Sequence, residues 1–369
     1  MRKRSSGSSR SDEVAKRAGV SIATVSRVVN GFATVDKKLA KRVWQAIDEL
    51  GYVPNQQARA LVSGRSRTLG LLVSEITNPF FPELIQSFED IAGENGFEVM
   101  VGSTNYNYER AKLFITRLAQ RRVEGVAVMT FRAESPLLDG LIAQDIPLVS
   151  IDVSTNAPRS LILEVDYAQG ITQAVQHLAV LGHRKIAYAG GPMPHLTNLR
   201  RKEAFIQAIR SIGLQVEELQ IFEGAHTFEG GTLAAEQFLE IEDRPTAIVC
   251  SNDIMAVGVM RVLVRRKIKV PGEMSVVGFD DIHLAEFANP PLTTIRMSRG
   301  DLARSAFNAL QLLMNSADIA PHPPMRVGTS LIVRESTDFH TEATHGLRIK
   351  RNSSERPVGR RELHPPITS

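Results

Sequence analysis

At 369 residues the chain is too long for one ordinary domain and has room for a small head and a large, well-cored body. Its 43% hydrophobic and 23% charged residues place it with globular proteins and exclude an intrinsically disordered chain. The net charge of +4 conceals a polarity: residues 1–67 carry 14 Lys and Arg against 5 acids, residues 340–369 carry 6 against 3, and residues 68–339 carry 24 against 32, so a polyanion is the expected partner of the head.

Residues 1–10 are basic and rich in Ser and Gly, and are predicted to be disordered. Val14, Ala15 and Ala18 then fall on one helical stripe, Gly19 breaks the helix, and Ser21 is placed to cap a second one by accepting from the amide of residue 23 or 24. Two short helices joined by a glycine turn make a helix-turn-helix. In the second helix Val25, Val28 and Val29 point inward, leaving Ser21, Ile22, Ala23, Ser26 and Arg27 on the outer, N-terminal side that enters a major groove. Asp36 is predicted to cap a third helix with Leu39, Val43, Ile47 and Leu50 inside and Lys37, Lys38, Lys41 and Arg42 outside. Gly51 ends it. Pro54 and Asn55 open a short stretch to Val62 with Ala58, Leu61 and Val62 on one side and Arg59 beside them, and Ser63 to Ser66 looks like a linker.

From Thr68 the pattern becomes α/β alternation. The runs TLGLLVSE, FEVMVGST, GVAVMTF, PLVSIDV, SLILEVD, KIAYAGG, LQIFEG, TAIVCSN and MSVVGFD alternate with amphipathic segments such as 79–95. About nine strands exceed one compact domain, so two doubly wound lobes with parallel sheets are expected. TTIRMS and TSLIVRES are candidates for crossing back between lobes. Cys250, the only cysteine, excludes an internal disulfide, suits a reducing cytoplasm, and is expected to be buried in its strand. No apolar stretch reaches membrane-spanning length and no signal-peptide core follows the basic start, so a cytoplasmic protein with no membrane partner is expected. After about residue 338 the chain loses periodicity and a disordered tail is predicted. It carries no leucine heptads of the kind that tether tetramers.

The blocks VAKRAGVSIATVSRVVNG, ELGYVPNQQARAL, NPFFPELI, HLAVLGHRKIAYAGGP, PTAIVCSND, SVVGFDD and PPLTTI, in this order, resemble the LacI/GalR family of bacterial transcription regulators over roughly residues 11 to 338. The resemblance implies a small all-α head on a two-lobed body of the periplasmic-binding-protein type I fold, a homodimer, double-stranded operator DNA as partner, and a small effector between the lobes. The expected divisions are the head at 11–54, a hinge helix and linker at 55–67, one lobe at about 68–166 and 297–328, the other at about 167–296 and 329–338, and the tail from 339. The start departs from the family's usual cap; Arg10 and Ser11 stand there, and Ser11 is the expected substitute.

By family position Ile22 and Ala23 open the recognition helix and discriminate only by shape and by contact with a thymine methyl, whereas Arg27 takes a guanine. Ser21, Thr24, Ser26 and Asn30 join them as phosphate, packing or flanking contacts. Asn55, Ala58, Arg59 and Leu61 belong to a segment that relatives order as a helix on DNA, with a leucine wedged into the minor groove. For the effector, the resemblance implies Asn252 and Asp280 at strand ends, Arg201 with Arg200 as a competing candidate, Phe80 and Phe81 from the first lobe, Asp152, and His226 or Phe228 as an aromatic contact. Asp281 is expected to cap the following segment. Asn105 to Tyr108 stand where relatives often carry an aspartate-rich turn, so tyrosines are expected at the ligand's far end and its identity stays open among sugars, sugar acids and nucleoside-like compounds. A solute-binding protein would share the body but needs a secretory signal and no basic head. A nucleotide-dependent enzyme would need a glycine loop or nucleophile set that does not stand out. No cofactor or metal is expected.

Overall fold

The computed structural model describes residues 10–29, 35–52, 65–130, 135–153, 157–193, 195–215, 217–316 and 323–340. The head opens with α1 (Arg10–Ala18), α2 (Ile22–Val29) and α3 (Lys37–Glu49). Val14, Ala15 and Ala18 of α1, Val25, Val28 and Val29 of α2, and Val43, Ala46 and Ile47 of α3 close one core. Gly19 makes the α1–α2 turn at φ +64°, the left-handed conformation that glycine adopts without steric cost. Val20 N donates to Ala15 O there. Arg42 of α3 reaches across to donate to the carbonyls of Ala18 and Gly19, so this residue, expected to face outward, satisfies the bare carbonyl end of α1. Asp36 caps α3 by accepting from the amides of Lys38 and Leu39 at 2.9 and 3.2 Å.

Two further expectations in the head are corrected. The first helix starts at Arg10, placing Ser11 inside α1, where its hydroxyl meets the Tyr52 hydroxyl at 2.8 Å instead of capping. Leu50, read as a core position, is the C-cap of α3 and exposed. Trp44, the chain's single tryptophan, lies on the solvent side of α3 and is 49% exposed.

The body holds two six-stranded sheets. The first comprises β1 (Thr68–Val73), β2 (Glu98–Ser103), β3 (Gly125–Met129), β4 (Leu148–Ile151), β5 (Ser160–Val165) and β11 (Met325–Val327), in the order β11-β5-β4-β3-β1-β2. The second comprises β6 (Ile186–Gly190), β7 (Ile221–Glu223), β8 (Ala247–Cys250), β9 (Ser275–Asp280), β10 (Thr293–Met297) and β12 (Thr329–Ile332), in the order β12-β10-β9-β8-β6-β7. Every pairing is parallel except β10 with β12. Strands β3, β4, β6, β8 and β9 are buried at every residue, which is why they stand in the sequence as unbroken apolar runs.

Between the strands lie α4 (Phe80–Glu94), α5 (Tyr108–Gln120), α6 (Ser135–Ile142), α7 (Tyr167–Val180), α8 (Leu196–Ser211), α9 (Phe228–Leu239), α10 (Asp253–Arg265), α11 (His283–Phe287) and α12 (Arg299–Asn315). The chain crosses between lobes three times: from β5 into α7, from β10 into α12, which packs on α4 and the first sheet, and from β11 into β12. TTIRMS and TSLIVRES are β10 and β12 at two of these crossings. The three-residue β11 is a strand that no apolar run announces, since only Val327 in it is buried. The body also extends past residue 338: His340 N donates to Leu181 O at 2.9 Å. The rest of the expected tail lies outside the described residues.

In each sheet the first strand has the second on one side and the third on the other, so the order reverses beside β1 and beside β6. Ligands bind outside the carboxyl ends of strands at such reversals. The chemistry should therefore sit after Val73, Met129, Gly190 and Cys250.

Candidate nucleic-acid interface and interlobe site

The outer face of α2 follows from its core stripe. With Val25, Val28 and Val29 turned in, Ser21, Ile22, Ala23 and Arg27 are exposed, Ile22 to 52%. Thr24 and Ser26 are half-buried. Ser21 Oγ accepts from Thr24 N at 3.2 Å and meets Thr24 Oγ1 at 3.0 Å, so one side chain starts the helix and stands at its positive end. An apolar, uncharged tip followed one turn later by a guanidinium is suited to the floor of a groove between phosphates. Asn30, Asn55, Ala58, Arg59 and Leu61 lie outside the described residues.

Between the lobes, three contacts bridge the two sheets' C-terminal ends. Glu83 of α4 accepts from His283 N of α11 at 3.2 Å and pairs with Arg299 at 2.7 Å, while Arg299 also donates to Asp280 O at 2.8 Å. Tyr106, from the first lobe, stacks on His195 at the start of α8 with centroids 6.4 Å apart. Its hydroxyl donates to Glu75 at 3.0 Å, and burial followed by the Glu75 charge pushes its pKa up.

The third bridge is Asp152. It sits at φ 55° after β4, buried, and it accepts from Val165 N at 3.1 Å, from the Tyr167 hydroxyl at 2.6 Å and from Arg200 at 2.9 Å. Burial holds its pKa above the usual carboxylate range, although Tyr167, the Val165 amide and Arg200 each act in the opposite direction. Expected as an effector contact, Asp152 has its oxygens engaged by the protein and ties α8 to β4.

The second lobe supplies a buried polar cluster. Arg201 donates to Ser251 O at 2.5 Å, lies 3.8 Å from Asp280, and is covered by the rings of Phe279 and Tyr167 at 4.1 and 4.9 Å. Burial opposes its charge, but Tyr167, Asp280 and Tyr188 raise its pKa. Arg201 is thus the inward arginine and Arg200 the latch. Asp280 is buried at φ 107°, and desolvation pushes its pKa up to about 7 against the pull of Arg201 and Arg299. His226 Nε2 meets Ser251 Oγ at 2.9 Å; burial, then Arg201 and His195, push it down to about 3, so the ring is neutral. Phe228 instead begins α9 and is exposed.

Asn252 caps α10 through Oδ1, which accepts from Met255 N at 2.8 Å, while its buried Nδ2 has no partner among the described residues. The buried Tyr188 hydroxyl and Asn198 Oδ1 are likewise without partners there. Leaving such atoms unsatisfied costs about 1–3 kcal/mol each, a cost that a polar group entering the cluster would offset. Asn198 precedes Arg201 by one helical turn, a signal the sequence carried. Tyr188 was hidden in the apolar run of β6. Phe80 and Phe81 are both buried and meet edge-to-face at 5.4 Å; Phe80, which falls off the helix stripe, is held by Asn78, whose Oδ1 accepts from Phe80 N at 3.0 Å. Asp281 does not cap α11: its carboxylate pairs with Arg296 and Arg334, and Asp253 accepts from Ile282 N instead.

Residues 12–55 match bacterial regulatory proteins of the lacI family, and residues 175–337 match a periplasmic binding protein-like domain. The HTH-type transcriptional repressor PurR of Photobacterium profundum is 33% identical over 327 residues, covering 88% of this chain and 97% of that protein. The chain belongs to the lacI family. Among solved structures, the lac repressor dimer bound to operator and the anti-inducer ONPF is 27% identical, with a TM-score of 0.78, covering 90% of this chain and all of that one. The transcriptional regulator CelR in complex with cellobiose is 29% identical, with a TM-score of 0.66, covering 88% and 99%. Among the described residues no helix is long and apolar enough to cross a membrane.

Proposed function

We propose that this lacI-family chain is a cytoplasmic transcriptional repressor, not an enzyme, that binds a palindromic operator as a homodimer and is controlled by a small effector between its lobes. The observation that carries the reading is the free N-terminal side of α2, with Ser21, Ile22, Ala23 and Arg27 clear of the head's core. Two such helices on one dimer fit two half-sites about one turn of DNA apart. Relatives named as repressors support the direction of control, and the operator-bound lac repressor supports the dimer. Residues 11–54 act as the reading head and 55–67 as the hinge, where Asn55, Ala58, Arg59 and Leu61 meet the minor groove.

The effector site consists of Asn252, Asp280, Arg201 and His226 with Phe80 and Phe81. Asn252 Nδ2 donates, Asp280 accepts and Arg201 holds Asp280 in place, a set that suits vicinal hydroxyls of a sugar-like compound. The cellobiose complex of CelR supports that class. The effector acts by binding one lobe arrangement more tightly than the other, which moves the hinges of the two protomers and changes operator affinity. Arg27→Ala tests the head: affinity for the selected operator should fall about 10-fold or more while affinity for random DNA falls far less. Equal losses on both would remove Arg27 as a base reader.

A further inference from the structure

An open cavity of about 370 Å³, with Glu203, Gln207 and Arg326 at its solvent-exposed rim, lies beside the lobe crossings, and its wall includes none of Arg201, His226, Asn252 or Asp280. Strands β5 and β11 bring it Glu164 and Arg326, which are register partners on neighbouring strands and so leave the sheet on the same face. From the other lobe, α8 brings Arg200, Glu203 and Gln207, spaced to share one helix face. Val165, Tyr167 and Ala204 supply buried apolar surface.

Glu164 and Arg326 stand side by side, yet neither side chain has an ion-pair or hydrogen-bond partner among the described residues. Two uncommitted groups of opposite charge thus face a shared cavity, and the opposite wall carries a second cation and anion that are already engaged, Arg200 by Asp152 at 2.9 Å and Glu203 by Gln207 at 3.4 Å. A purely anionic occupant would meet Glu164, Asp166 and Glu203, and a purely cationic one would meet Arg200 and Arg326. We propose that this cavity is a second ligand site for a small zwitterion of the α-amino acid class, its carboxylate toward Arg326 and Arg200 and its ammonium toward Glu164 and Glu203. The volume falls at the small end of ligand pockets.

The occupant joins β5 and β11 of one lobe to α8 of the other, and it borders Arg200, the partner of Asp152 at 2.9 Å. Occupancy therefore biases the lobe arrangement. Only this consequence, a change in operator affinity, rests on the repressor reading; the site itself does not.

The full chain is melted with each common L-amino acid at about 10 mM, beside the amine that lacks its carboxylate and the acid that lacks its amine. At least one amino acid should raise Tm where neither truncated counterpart does. The double variant Glu164→Gln with Arg326→Gln should lose the shift, whereas Asn252→Ser should keep it; circular dichroism confirms that both fold. No shift with any amino acid, an equal shift with the amine or acid alone, or a shift that survives the double variant would each overturn the site. The stabilising amino acid should then change operator affinity several-fold. Binding without that change overturns the regulatory consequence, whereas failure to bind any operator, both without ligand and with candidate effectors added, counts against the repressor reading and leaves the melting result standing.

Discussion

Asp280 gives the sharpest quantitative test. Its carboxyl titrates at about 7 in the folded protein against 3.8 when unburied, so the folded state holds the proton more tightly than the unfolded one. A raised acid of this kind contributes stability that is fully present below pH 3.8 and is lost as pH rises through about 7. At pH 5 the folded group is two units below its pKa while the unfolded group is mostly ionised; at pH 8 both are ionised. The contribution therefore falls by roughly 2–3 kcal/mol between those two conditions, at about 1.4 kcal/mol per unit. Asp280→Asn removes the titration and keeps the shape. Other buried groups titrate too, Asp152 and Asp253 raised in the same sense and His183 and His226 held near 4 and 3 in the opposite one, so the informative quantity is the difference between variant and parent. Guanidinium midpoints for both proteins at pH 5 and pH 8, at one protomer concentration and with m-values compared, should show the parent gaining roughly 2–3 kcal/mol more than the variant at the lower pH. Parallel pH dependence of the two proteins would refute the assignment of a desolvated, titrating Asp280.

Asn252→Ser retains an acceptor for the Met255 amide and removes the unpartnered donor; stability should change by less than about 1 kcal/mol while effector affinity drops about 10-fold or more in a calorimetric titration. Arg200→Gln leaves Asp152 with Tyr167 and Val165 but without its guanidinium. Because the Arg200 side chain is 35% exposed, the loss is discounted to about 1 kcal/mol, which should move the lobe equilibrium, and with it the effector Kd, about five-fold. Gly231→Ala puts a Cβ 2.0 Å from Met255 O where α9 crosses α10. A backbone oxygen in a helix cannot swing aside, so net destabilisation of about 2 kcal/mol is expected despite alanine's better helix propensity, seen as a lower melting temperature.

The fold was legible where periodicity is strong. Val14 to Val29 and the apolar runs of the body place α1, α2 and the buried strands correctly, because each of those faces is covered. What the sequence did not disclose depended on contacts distant in the chain. Asp152 looks like a strand-end ligand until Arg200 and Tyr167 are brought to it, and Asp281 looks like a cap until Arg296 and Arg334 engage it. Arg42 belongs to a charged stripe and turned out to close the carbonyl end of another helix. Short elements with little burial, β11 above all, carry no hydrophobic signature. Tyr188 and Asn198 were overlooked for the opposite reason: a hydroxyl in an apolar strand and an amide in a polar helix look ordinary until neither finds a partner.

Trp44 on the solvent side of α3 is the only tryptophan in 369 residues, half exposed in the small head. Indole emission excited at the red edge therefore comes from that head alone, whatever the two-lobed body does. Quenching by a small solute, or polarisation of the same emission, follows the head through unfolding and through capture by a duplex without any dye. A signal from the body that moves while this one stays still would separate lobe rearrangement from events at the DNA.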